Sequence, residues 1–132
     1  QKDLNVSILN CVFKDVKDAG SFALALRNAV RSEDWTQHGL PVGLSIRIGL
    51  HAGPVFECHD PVLNKRTYNG FNVNRAARIE PITEEGQVFA SQAFAALGAV
   101  VPKKNFRCDY AGTRQLAKKA GAIPVFVLRA TA

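Results

Sequence analysis

The stretch LSIRIGL, residues 44–50, alternates apolar and polar side chains without a break and limits the fold more than any other feature of the chain. Leu44, Ile46 and Ile48 lie on one side and Ser45 and Arg47 on the other, the period of two that belongs to a half-buried β-strand. The following HAGP, residues 51–54, marks a tight turn or bulge, and VFECH predicts a partner strand. Such a pair needs an apolar layer to cover it. A helical period from Asp15 to about Arg31 supplies one, with Val16, Ala19, Phe22, Ala23, Leu26 and Val30 recurring on one face.

The rest of the chain extends this alternation. ILNCVF (8–13) predicts a buried strand, WTQHGLPVG a loop, and HDPVLNKRT (59–67) a hairpin tip or flexible loop. GQVFAS (86–91) predicts a strand whose Ser91 caps the short helix QAFAAL. Short strands follow around Phe106 and Tyr110, and IPVFVL closes the sheet. The order β-α-β-β-α-β-α-β-β implies an α+β fold, a ferredoxin-like sandwich with helices on one face of a mostly antiparallel sheet. At 132 residues the chain is one domain, 1–132, long enough for a single core and too short for two.

The formal charge of +6 favours an anionic partner. The basic residues are scattered, with no run longer than Lys103-Lys104 or Lys118-Lys119, so a polybasic tract is excluded and a folded patch is not. No apolar run approaches the ~18 residues of a membrane span, and QKDLNVSIL lacks the pattern of a signal peptide. Cys11, Cys58 and Cys108 fit neither a disulfide framework nor a zinc pattern, so reduced thiols and a cytoplasmic setting are expected.

Function concentrates in NGFNVNRAARIEP, residues 69–81. As a helix it sets Asn74 and Arg78 four residues apart on one face, a carboxamide one turn before a guanidinium. Such a pair either decorates a solvated face or holds an anion and a nearby oxygen together. Arg75 points elsewhere. His51, at a strand end among glycines, reads as structural, and His38 and His59 are spaced like no metal site.

Four blocks, taken in order, bear a family resemblance: RIGLHAGPVF (47–56), TYNGFNVNRAARIE (67–80), GQVFAS (86–91) and YAGTRQLAKKAGAIPVFVL (110–128). Over about residues 11–128 the chain resembles the catalytic domain of class III nucleotidyl cyclases, the adenylate and guanylate cyclases and their bacterial relatives. RIEPIT and AFAAL are also similar to the bacterial pyrimidine cyclases of antiphage signalling. The resemblance implies an enzyme converting a nucleoside triphosphate to a 3′,5′-cyclic nucleotide and pyrophosphate. It assigns Arg78 to the phosphoryl charge and Asn74 to the ribose. In Leu116-Ala117-Lys118-Lys119 it assigns Lys118 to the terminal phosphates, with Lys119 where the family has glycine.

Thr67 occupies the position of the family's acidic base reader, and Tyr68 beside it is a further substrate-binding candidate. A hydroxyl both donates and accepts, so adenine is not demanded; a pyrimidine triphosphate such as UTP fits, with ATP next. The family's Mg²⁺ or Mn²⁺ is held by two aspartates. Counting back, one falls on Ser7, Asp3 is out of register, and the first strand of the family fold is missing. The metal ligands are therefore expected outside this chain segment, and none is assigned within it. A head-to-tail homodimer or heterodimer with shared sites is implied. Two alternatives stand beside this reading: an inactive pseudo-cyclase serving as a regulatory or dimerisation module, and an RNA-binding ferredoxin-like domain. The second needs aromatics at alternate positions on adjacent strands. The phenylalanines here are spread between helices and strands, so no nucleic acid is expected as partner.

Overall fold

The computed structural model describes residues 10–117 and 120–131, without the side chain of Asn69. In chain order the elements are α1 (Val16–Ser32), β1 (Ile48–Leu50), β2 (Phe56–Asp60), β3 (Lys65–Asn69), α2 (Phe71–Ile79), β4 (Val88–Ser91), α3 (Gln92–Ala99), β5 (Phe106–Gln115) and β6 (Ala122–Ala130). Local chemistry sets the helix starts. The Asp15 carboxylate accepts the Asp18 N–H at 2.8 Å, and the Ser91 hydroxyl accepts the Phe94 N–H at 3.2 Å, each satisfying a donor that the first turn leaves unpaired. At the other end of α1 the Trp35 indole donates to the Val30 carbonyl at 2.8 Å.

The α+β class and the mostly antiparallel sheet hold. One sheet runs β1-β4-β6-β5, with β1 and β4 parallel and the other pairs antiparallel. Its two faces are covered separately. Val88, Ala90 and Leu128 pack with Ala23 and Leu24 of α1, Phe94 of α3, and Phe106. Phe89, Val125 and Val127 face the other way and meet Ile79 at the end of α2. The expectation of helices on one face therefore describes α1 and α3, whereas α2 covers the opposite face.

Three sequence expectations are corrected. VFECH does not partner LSIRIGL: β2 pairs with β3 in a separate antiparallel hairpin, register Phe56↔Asn69 to Asp60↔Lys65. Residues 51–55 carry the chain off the sheet first, and only Ile48–Leu50 have a ladder, although the burial alternation begins at Leu44. The polar stretch 59–67 does form the expected hairpin tip, its turn confined to residues 61–64, where Asp60 Oδ1 accepts the Val62 and Leu63 N–H groups, with strand on either side. Of the predicted strand 8–13, residues 8 and 9 lie outside the described residues, and 10–13 are exposed and irregular. No described strand pairs with them, and Phe13 instead stacks on Phe22 of α1 with ring centroids 5.3 Å apart. The tail is simpler than expected: Phe106 and Tyr110 belong to one strand, bulged between Tyr110 and Thr113.

Candidate functional site

The parallel pairing of β1 with β4 explains the motif RIGLHAG. Ile48, Leu50 and Ala52 pack into the core shared with α1 and α3, which turns Gly49 toward the face that α2 covers. A Cβ on Gly49 would stand 2.7 Å from the Glu80 backbone nitrogen, and one on Gly53 would stand 2.4 Å from the Asn72 side chain. Two glycines four residues apart thus let α2 lie directly on this segment, running antiparallel to it. The lengths agree: seven helical residues rise about 10.5 Å, and four extended residues span about 13 Å.

Between the glycines, His51 bridges to α2. Its Nδ1 lies 2.7 Å from Ser91 Oγ and its Nε2 lies 2.8 Å from Asn72 Oδ1, while Asn72 Nδ2 donates to the Pro54 carbonyl at 2.7 Å. The partners fix the protons. Because the Asn72 amide nitrogen faces Pro54, its oxygen faces the ring, so Nε2 carries hydrogen. Ser91 accepts from Phe94 N–H and donates to Nδ1. Both ring nitrogens of His51, which the sequence reads as structural, are thus engaged by protein groups. Asn72 was missed because a second asparagine in NGFNVN leaves no mark separating a clamp from a ligand-binding group.

Asn74 and Arg78 both lie on α2 with their side chains exposed. Neither forms a side-chain hydrogen bond or ion pair with another described residue. Arg75 differs, its guanidinium lying 5.1 Å from the Phe71 ring centroid. A groove of about 990 Å³ beside β1, the edge strand of the described sheet, is lined by Phe13, Phe22, Ile48 and the inner side of α2, and by neither Asn74 nor Arg78. The pair therefore faces outward.

Thr67 and Tyr68 are consecutive on β3 and face opposite sides of the hairpin. The Tyr68 hydroxyl donates to Glu57 Oε2 at 3.4 Å, and Glu57 Oε1 pairs with Arg66 Nε at 2.9 Å. Thr67, opposite Cys58, is half-buried. Lys118, Ser7 and Asp3 lie outside the described residues. Among the described residues no three His, Cys, Asp or Glu side chains gather to hold a metal ion, so these residues do not fit the expected Mg²⁺ or Mn²⁺. No helix among the described residues is long and apolar enough to cross a membrane.

Fold and site together define an α+β domain that offers hydrogen-bonding and cationic groups from an exposed helix rather than from an enclosed cavity. The sequence pattern of the adenylate and guanylate cyclase catalytic domain matches residues 4–130, and the chain belongs to that family. An adenylate cyclase of Mycosarcoma maydis is 49% identical over 51 residues, 38% of this chain and 2% of that protein. The crystal structure of the adenylyl cyclase CyaB from P. aeruginosa superposes with a TM-score of 0.74 at 23% identity, covering 90% of this chain and 61% of the other. The guanylate cyclase domain of RhGC from Catenaria anguillulae, solved in complex with GTP, gives 0.72 at 24% identity, covering 89% and 60%. At these identities the solved structures support the fold. The chain spans about three fifths of their length and a small fraction of the curated relative.

Proposed function

We propose that the domain contributes the nucleotide-gripping half of a nucleotidyl cyclase site. In the reaction the ribose O3′ attacks the α-phosphorus of the same nucleotide. The new O3′–P bond forms as the bond to pyrophosphate breaks, and the hydroxyl proton is released. Positioning and charge stabilisation supply most of the acceleration in such a transfer. Arg78 donates to the phosphoryl oxygens as charge accumulates on them, and Asn74 holds the ribose one helical turn away. Lys118 meets the terminal phosphates. Since Tyr68 already donates to Glu57 and faces away from Thr67, Thr67 is the base-side residue. Its hydroxyl accommodates a pyrimidine, with UTP first and ATP second. The narrower likeness to the pyrimidine cyclases of antiphage signalling, and a cytoplasmic setting, belong to the same proposal.

One observation carries this reading: Asn74 and Arg78 lie one turn apart on the outward side of α2, with no described residue occupying either side chain. A second subunit, identical or related, completes the site and brings the divalent metal with its ligands from outside this segment. The test is to incubate the full-length protein with Mn²⁺ and each of the four triphosphates and to assay for cyclic product. Product formation that disappears in Arg78→Ala supports the proposal. Nucleotide binding or dimerisation without product from any triphosphate would instead make the domain a regulatory module.

A further inference from the structure

We infer that His51 and Asn72 form a positioning clamp that fixes where α2 begins, and therefore where Asn74 and Arg78 point; the catalytic part of this inference rests on the cyclase reading above. Three independent features converge on the Asn72 carboxamide. Its nitrogen is held by the Pro54 carbonyl at 2.7 Å, its oxygen by His51 Nε2 at 2.8 Å, and its atoms fill the space that a Cβ on Gly53 would take. His51 is anchored in turn through Ser91, which terminates β4 and caps α3. Asn72 is the second residue of α2, and Gly70 before it supplies no side-chain cap. With its first turn uncapped, the helix takes its anchorage from the β1–β4 edge through the imidazole. Asn74 follows two residues later and its N–H bonds to the Gly70 carbonyl at 3.2 Å, so a shift of Asn72 carries Asn74 with it. Misplacement of a reacting group by about 1 Å reduces rate by on the order of 10²-fold, so a small slip of the first turn is sufficient to impair turnover.

The experiment compares the full-length wild type with His51→Ala, Asn72→Ala, the double variant and His51→Gln, which keeps a donor for Asn72 Oδ1. Ser21→Ala, removing the hydrogen bond to Asn105 at 2.8 Å on α1, is the control from the opposite face of the sheet. Two readouts are taken: amide hydrogen exchange along α2, and kcat and KM with the Mn²⁺ complex of the preferred triphosphate. Expected are at least tenfold faster exchange of the α2 amides in both alanine variants, little change in the control and recovery in His51→Gln. The double variant should be no worse than Asn72→Ala, because both act on one connection. kcat should fall ten- to a hundredfold in the alanine variants with KM within about twofold of wild type, the mark of a lost transition-state alignment. Unchanged exchange overturns the clamp, and a raised KM at constant kcat overturns its link to the chemical step. If the wild type forms no product from any triphosphate, the cyclase reading fails, and exchange alone decides whether the clamp anchors α2.

Discussion

Arg78 and Thr67 make opposite kinds of prediction from one side chain each. On the proposed reading Arg78 stabilises charge that develops only in the transition state, so Arg78→Ala should lower kcat by roughly 10²-fold or more while KM changes little, measured by steady-state cyclase kinetics. On the same reading Thr67 discriminates between bases. A carboxylate accepts only, so Thr67→Asp should shift the ratio of kcat/KM toward ATP over UTP. Cys108 offers a pH signature unrelated to catalysis. Burial among the α1 and α3 core side chains pushes its thiol up to about 11 from an ordinary 9.0, with Asp109 adding and Lys104 opposing. A raised value means the folded state retains the proton: the contribution to stability is complete below pH 9, then falls as pH rises and is lost through pH 11. Urea melts across that window should show a shallower decline for Cys108→Ala than for wild type. At pH 8 the exposed Cys11 should alkylate well ahead of Cys108.

At the scale of elements, α2 and the strand beneath it depend on glycines that leave no room for a methyl group. Gly49→Ala would force a Cβ against the Glu80 backbone, where no flexible side chain can yield, and should destabilise by about 1–3 kcal/mol in urea titration. Gly20 in α1 sets two effects against each other. Alanine would gain about 1 kcal/mol of helix propensity, but its Cβ would meet the Phe106 ring at 2.4 Å. Overpacking against a buried ring costs roughly 1–3 kcal/mol, so Gly20→Ala should be net destabilising, and Phe106→Leu in the same chain should return part of the loss. The helix spans were legible because periodicity acts within a few residues, and so was the Ser91 cap, whose chemistry is equally local. The strand pairings were less so. A hairpin between β2 and β3 and a ladder between β1 and β2 ask for the same local pattern, and only the departure of residues 51–55 from the sheet decides between them.

Across the whole molecule, stability rests on the sheet's two buried faces. Phe106 lies in the larger core, 1% exposed, with its ring 6.2 Å from that of Phe94. Phe106→Ala should cost about 3–5 kcal/mol in equilibrium unfolding, far more than loss of the exposed Glu57–Arg66 pair, worth at most about 1 kcal/mol. By itself the sequence determined the α+β class, the helices and the Ser91 cap, and the one-turn spacing of Asn74 and Arg78, because each follows from interactions between residues near one another along the chain. The tertiary structure alone decided that α2 lies across the sheet from α1 and α3, that Gly49 and Gly53 admit it, and that His51 reaches Asn72. Those contacts join residues about 20 or more positions apart. Whether an imidazole anchors a helix or meets substrate depends on which remote group arrives beside it, and local pattern carries no record of that arrival.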